Sequence, residues 1–235
     1  MEKNIIITRE SVNSQIDKLI AKYPHLVVVL FNDTIVQLHG DILVHRHYKK
    51  YVLRQSYTID IYIPLQSEKL PYVVDTNHYI DPDYHHYYQS GKLCLETDTS
   101  ILMRFLDGFD LIQWMQEYVE TYFFSYEYYK RYGIFPFGER DHGWRGIIQT
   151  YQEVLSAKDM VETYKLMTYV KQHPYKGHML CPCGSNKRIR NCHGTDMLKF
   201  YQDKRLKKIL LNDIETIMRE VKGFEHRYNQ QKAER

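Results

Sequence analysis

Residues 51–65 read YVLRQSYTIDIYIPL. Tyr57, Ile59, Ile61 and Ile63 alternate with Thr58, Asp60 and Tyr62, the period of two that marks a half-buried β-strand. Upstream, TIVQLHGDILVH (34–45) is a second extended run, broken at Gly40. Before it, PHLVVVLF (24–31) is continuously apolar and reads as a buried strand. Downstream, LPYVVDT (70–76) is a fourth, short strand. Asn32-Asp33, His39-Gly40 and Gln66-Ser67 supply the turns. Thr8 or Ser11 caps a first helix that runs to about Lys22, with Ile16, Leu19 and Ile20 on one face. The predicted class is α+β: a helix, a four-stranded antiparallel meander, then further helices.

Residues 77–99 show no sustained period and hold Asp81-Pro82, three histidines and Gly91. A long irregular stretch in a compact domain often carries function. From Ser100 the chain returns to helix. In DLIQWMQEYVETYFFSYEYYKRYG (110–133), Leu111, Trp114 or Met115, Tyr118 and Tyr122 form one stripe, with Asp110 as cap and Gly133 as stop. Residues 134–146 are a loop, 147–172 helix, 173–178 a linker and 197–221 a basic helix, with 229–235 expected to fray. The predicted division is 1–170, the α+β domain with its helical extension, and 171–235, a small metal module with the basic helix.

Charge supports that division. Residues 171–235 carry 15 Lys/Arg against 7 Asp/Glu, a net of +8, whereas the rest carries 17 against 22, a net of −5. A basic tail suits an acidic protein surface or a nucleic acid, or is simply a solvated helix face. Of the 235 residues, 43% are hydrophobic and 26% charged, ordinary for a globular protein. No stretch approaches the roughly 20 apolar residues of a membrane helix, and the N-terminus lacks the order of a secretory signal. The expected location is the cytoplasm, with no membrane partner. The 22 tyrosines include YFFSYEYYKRY, whose helical spacing favours packing over base stacking.

In CPCGSNKRIRNCHG (181–194), Cys181, Cys183, Cys192 and His193 fall within fourteen positions. Three thiolates and an imidazole suit tetrahedral Zn2+. Gly184 permits a sharp turn after the second ligand, and amides near Ser185 and Asn186 can donate to the sulfurs. So small a module has almost no core, so the metal supplies much of its folding free energy. Clustered thiols beside a histidine also suit a reducing compartment better than a disulfide framework. This stretch resembles the SEC-C motif: Cys-x-Cys, eight residues, then Cys-His, with a Pro-Cys-Gly-Ser opening and a basic middle. The resemblance implies zinc ligation by those four residues and a docking role.

The remaining cysteine, Cys94, lies in HHYYQSGKLCLETD (85–98). Flanked by Leu93 and Leu95, it reads equally as a small buried hydrophobe. Its loop setting, His85 and His86 nearby, and Gly91 three residues before the thiol point to chemistry. The element order, with Gly91-Lys92-Leu93-Cys94-Leu95 after a helix and a meander, resembles the ubiquitin-conjugating (UBC-like) fold over about residues 8–130. The His-Pro-Asn element of the eukaryotic enzymes is missing; His86 stands at the Asn position, as in bacterial members of the superfamily.

That resemblance implies a bacterial conjugation or anti-phage defence role. Cys94 would carry an acyl group as a thioester and pass it to an amine. The partners implied are a ubiquitin-like or other donor with a C-terminal carboxyl group, and a separate activating enzyme. His86 or a backbone N–H would face the oxyanion, and Asp98 or His85 would take the proton from the amine. Glu139, Asp141 and His142 sit between glycines in FPFGERDHG, either as a flap placing His142 near the thiol or as a capped turn. Two other classes compete. One is a non-catalytic adaptor on the same fold, using the zinc module and basic helix to bind protein or nucleic acid. The other is a Cys-His hydrolase, which needs a third residue to orient its base, and none is legible.

Overall fold

The computed structural model describes residues 6–233, with side chains described as far as 223. The chain divides into two compact units, 1–139 and 140–235.

The first unit opens on α1 (Arg9–Lys22), whose cap is Thr8: its hydroxyl accepts from the Ser11 amide. Val12, Ile16 and Leu19 are buried on the inner face. Four strands follow: β1 (His25–Phe31), β2 (Ile35–Tyr48), β3 (Tyr51–Pro64) and β4 (Tyr72–Val74). They form one antiparallel sheet in sequence order. β2 and β3 pair along their whole length, from Tyr48↔Tyr51 at the turn to Ile35↔Pro64. Ile42 stands opposite Tyr57, Leu38 opposite Ile61 and Val36 opposite Ile63, all of them buried. A period-2 sequence lays every second side chain on one face. Each fully buried aliphatic side chain on that face contributes about 1.5–3 kcal/mol.

Helices cover this face. α2 (Asp98–Arg104) is capped by Thr97, whose hydroxyl accepts from Ser100. α3 (Leu111–Trp114) starts at Asp110, whose carboxylate accepts from the Gln113 amide, and continues through a π-helical turn (Met115–Val119) into α4 (Glu120–Tyr132). Gly133 ends it with φ +70°. The π turn leaves a carbonyl outside the regular ladder, and here Gln116 O accepts from Arg46 Nη1 at 2.5 Å and from the Thr121 hydroxyl at 3.3 Å. Trp114, Phe123 and Phe124 from this helix are fully enclosed, with Phe123 stacked on Tyr57 at 4.1 Å between ring centres.

Two sequence expectations change here. β1 is not buried: Val27, Val28, Val29, Leu30 and Phe31 are all at least 39% exposed. β1 is the sheet's edge, and its register slips between Val28 and Leu30, so only Leu26 reaches the core. An unbroken apolar run does not reveal whether a strand is central or at an edge. Nor does Gly40 break β2; it lets the neighbouring strand approach. Its φ is +143°, and a Cβ there would stand 2.0 Å from the His25 carbonyl oxygen.

The second unit is helical: α5 (Gly143–Val154), α6 (Met160–Gln172), α7 (Gly194–Gln202) and α8 (Lys204–Ala233). The run 147–172, expected as one helix, is two. Ser156 takes φ +54°, and the Asp159 carboxylate accepts from the Glu162 amide at 2.8 Å to start α6. The final helix likewise divides at Asp203, whose carboxylate accepts from Arg205 N at 2.7 Å. Residues 229–233, expected to fray, continue α8, and 234–235 lie outside the described residues.

The boundary expected near residue 170 falls at 139/140. The reason is packing. α5 and α6 pack against α8 and each other, and Tyr151, Leu166, Met167, Val170, Phe200 and Leu210 are fully buried in this unit. The linker and charge shift near 170 mark a loop inside the unit, not its edge. No helix among the described residues is long and apolar enough to cross a membrane.

Candidate functional site

The first candidate is the cluster predicted from spacing. Residues 177–194 fold as a tight loop closed by backbone bonds: Cys181 N to Lys187 O at 2.8 Å, Ile189 N to Met179 O at 2.8 Å and Cys192 N to Ile189 O at 3.0 Å. Ile189 anchors the loop, fully buried. Gly184 takes the expected turn with φ +85°. The result brings one ligand atom from each of Cys181, Cys183, Cys192 and His193 within 4.8 Å of all the others.

The edges of this cluster are informative. Cys183 Sγ and Cys192 Sγ are 3.6 Å apart, and His193 Nδ1 lies 3.4 Å from Cys181 Sγ and 3.3 Å from Cys192 Sγ. Tetrahedral zinc, with Zn–S near 2.3 Å and Zn–N near 2.0 Å, needs S–S edges of roughly 3.8 Å and S–N edges of roughly 3.6 Å. A disulfide needs about 2.05 Å. The four donors therefore stand at metal-ligand spacing, as a group that can hold a metal ion and is compatible with zinc.

Thiolate ligation also requires support for negative charge. Burial pushes the Cys181 thiol up to about 12. At Cys183 burial also raises the pKa, but hydrogen bonds from the Ser185 side chain and amide outweigh it and bring the thiol down to about 7. The Ser185 hydroxyl is 3.3 Å from Cys192 Sγ as well. The amide expected near Ser185 is thus in place.

The second candidate surrounds Cys94. β4 leads into the irregular segment, which then folds back on β4: Asp75 N donates to Gly91 O at 2.9 Å and Leu93 N to Val73 O at 3.0 Å. Gly91 sits at this return with φ +79°, and a Cβ there would lie 3.2 Å from Val74. Its role is to make the turn against β4, not to clear space for the thiol. The Cys94 amide donates to His86 O at 2.9 Å, and the Tyr122 hydroxyl donates to the same carbonyl at 2.9 Å. This ties the cysteine and the His86 backbone to each other and to α4.

Cys94 opens on a groove of about 440 Å³ lined by Leu70, Tyr72, Tyr88, Asp98 and Ile101 among others. A ring nitrogen of His86 lies within 4.8 Å of the sulfur. The His86 side chain is mostly buried, its Nε2 3.4 Å from Glu139 Oε1. His85 is exposed and faces the same carboxylate at 4.0 Å. Of the Glu139–His142 constellation, Glu139 alone belongs to this unit. Asp141 exchanges hydrogen bonds with Gln149, and His142 precedes the first turn of α5, both in the second unit. The capped-turn expectation fits Asp141; Glu139 is instead the partner of His86.

Sequence reasoning missed Tyr88. Its hydroxyl donates to Cys94 Sγ at 3.6 Å. Tyr88 was visible in the same loop but had no pattern to distinguish it from 21 other tyrosines. Burial pushes the Cys94 thiol above its ordinary value; the Tyr88 hydrogen bond opposes this, and Glu96 and Asp98 add to it. Asp98 is exposed at the groove rim, and the protein packed beneath it raises its carboxyl, with Lys92 partly offsetting.

Comparisons of this chain with protein-family models, with curated proteins and with solved structures return no match.

Proposed function

We propose that the chain is a UBC-like conjugating protein: Cys94 carries an acyl group as a thioester and passes it to an amine, and a C-terminal zinc module of SEC-C type docks the protein on a partner. The observation that carries the proposal is a lone thiol at the mouth of a groove, in contact with a hydroxyl donor and close to an imidazole backed by a carboxylate.

The Cys94 thiol loses its proton, and its sulfur attacks the activated carboxyl carbon of the donor. A C–S bond forms and the activating group leaves. An amine then attacks the thioester, a C–N bond forms, and the sulfur departs as thiolate. The Tyr88 hydroxyl can donate to the departing sulfur, and His86 can relay the thiol proton. Asp98, whose raised carboxyl pKa makes it a better proton acceptor than an ordinary surface carboxylate, takes the proton from the amine.

In the second unit, Cys181, Cys183, Cys192 and His193 would hold Zn2+, which supplies folding free energy rather than catalysis. The setting proposed is a bacterial conjugation or defence system in the cytoplasm. There a separate activating enzyme and a donor with a C-terminal carboxyl group would be the partners, and the basic α8 would meet the docking partner.

One observation favours a second reading. Burial holds Cys94 as a neutral thiol, which suits an adaptor that uses the fold without the chemistry. The deciding experiment is an ester trap: Cys94→Ser and Cys94→Ala are expressed in the native host, purified under reducing conditions, and their intact masses compared. An added mass on the Ser form that is absent from the Ala form is expected. Equal unmodified masses, with donor and activating enzyme shown to be present, would favour the adaptor.

A further inference from the structure

α6 raises a question that the cysteine motif does not answer. Its inner face is Thr163, Leu166, Met167 and Val170, all fully buried or nearly so, yet Glu162 at the same end is only 6% exposed. A buried carboxylate is costly unless a donor or cation meets it. One of its oxygens, Oε1, lies 3.4 Å from His193 Nε2, with the two side chains 8% and 12% exposed. The other, Oε2, has Lys158 Nζ at 3.8 Å and no hydrogen-bond partner.

The two faces of the His193 ring thus point at different groups. Nδ1 faces the sulfurs of Cys181 and Cys192 at 3.4 and 3.3 Å, and Nε2 faces the carboxylate. An imidazole that ligates through one nitrogen carries its proton on the other, and a carboxylate accepting that proton's hydrogen bond holds the ring's tautomer and orientation.

We propose that Glu162 is a positioning residue of the metal site: it accepts the Nε2–H of His193 and so presents Nδ1 to the ion, making α6 a required part of a site whose four ligands all lie in the later motif. This rests on the metal reading of the cluster. A module cut at residue 170 would lack this carboxylate.

Glu162 also stands in the first turn of α6, where its amide is held by Asp159, so loss of function on substitution could be purely structural. A double-mutant cycle on the full-length chain separates the two. Zinc affinity is measured by competition with a chromophoric chelator for the wild type, Glu162→Gln and Glu162→Ala. The Ala change is then repeated in a His193→Cys background, where no ring remains to be positioned. Expected is a loss of about 10–100-fold for Glu162→Ala, a smaller loss for Glu162→Gln, which keeps an acceptor oxygen, and no further loss in the His193→Cys background.

The ring is also read directly. In the zinc-loaded wild type, long-range 1H–15N correlations of His193 should show the proton on Nε2. Equal effects of Glu162→Ala in both backgrounds, unchanged affinity in both variants, or a proton on Nδ1 would each overturn the inference. A wild-type chain that takes up no zinc would overturn the metal reading beneath it; stoichiometric uptake with Glu162-independent affinity overturns this inference alone.

Discussion

Cys94 and Cys183 are both half-buried, yet their thiols are pushed in opposite directions: Cys94 above its ordinary value, Cys183 down to about 7. Burial raises both. What differs is the company. Cys183 receives donors from Ser185, side chain and backbone, and sits 3.6 Å from a second sulfur. Cys94 has one hydroxyl donor, and Glu96 and Asp98 face it with like charge that Lys92 partly offsets. The first environment favours a thiolate held for a cation. The second keeps a neutral thiol that must be deprotonated when it reacts. Donor count and nearby charge, more than exposure, separate these two thiols, whereas burial dominates at Cys181, the enclosed member of the cluster, and pushes it up to about 12.

The largest expected effect would break this contrast at the cysteine cluster. Chelation of the proposed zinc ion, or Cys183→Ser, is expected to cost the second unit on the order of 10 kcal/mol of folding free energy. Circular dichroism should then show loss of helix, with β-sheet signal retained from the first unit. Full helix content after verified metal removal would show that the helical core suffices without it. The counterpart in the first unit is Ile61→Ala, in the centre of β3 and fully buried. It should destabilise that unit by about 2–5 kcal/mol in urea unfolding.

Smaller effects sharpen the contrast at Cys94. Cys94→Ala should change stability by no more than about 1 kcal/mol, because the thiol is small, sits at the mouth of a groove and contacts one hydroxyl, that of Tyr88. A loss as large as that of Cys183→Ser would mean that Cys94 is a packing residue. The smallest effect is in reactivity. With a folded-state pKa above that of a free thiol, alkylation of Cys94 at neutral pH should run slower in the native chain than in denaturant. It should rise steeply only at a pH above the range in which an ordinary free thiol ionises. The neutral thiol is favoured by folding below the unfolded pKa, and that contribution is lost as pH rises through the folded one. Tyr88→Phe, which removes the opposing hydrogen bond, should move the alkylation profile further up, and Asp98→Asn should move it down. A profile insensitive to Tyr88 would remove that residue from the site.

The sequence by itself determined those features that depend on near neighbours. The alternation from Tyr57 to Ile63 determined β3, because a strand's side-chain period is a property of the local backbone. Asp110 and Gly133 marked the ends of a helix because capping acts within one turn. The cluster of Cys181, Cys183, Cys192 and His193 was legible because a tight loop brings residues as far as twelve apart together.

Tertiary structure alone decided what depends on distant partners. β1 looks like a core strand in sequence, and only its place at the sheet edge exposes Val27 through Phe31. Glu139 meets His86 across 53 positions of sequence, Tyr122 holds the His86 carbonyl across 36, and Glu162 meets His193 across 31. None of these pairings leaves a mark in spacing or periodicity. They arise because the packed core of each unit fixes where its helices and loops run, and it is that placement which tells a carboxylate on one helix whether it faces water or an imidazole.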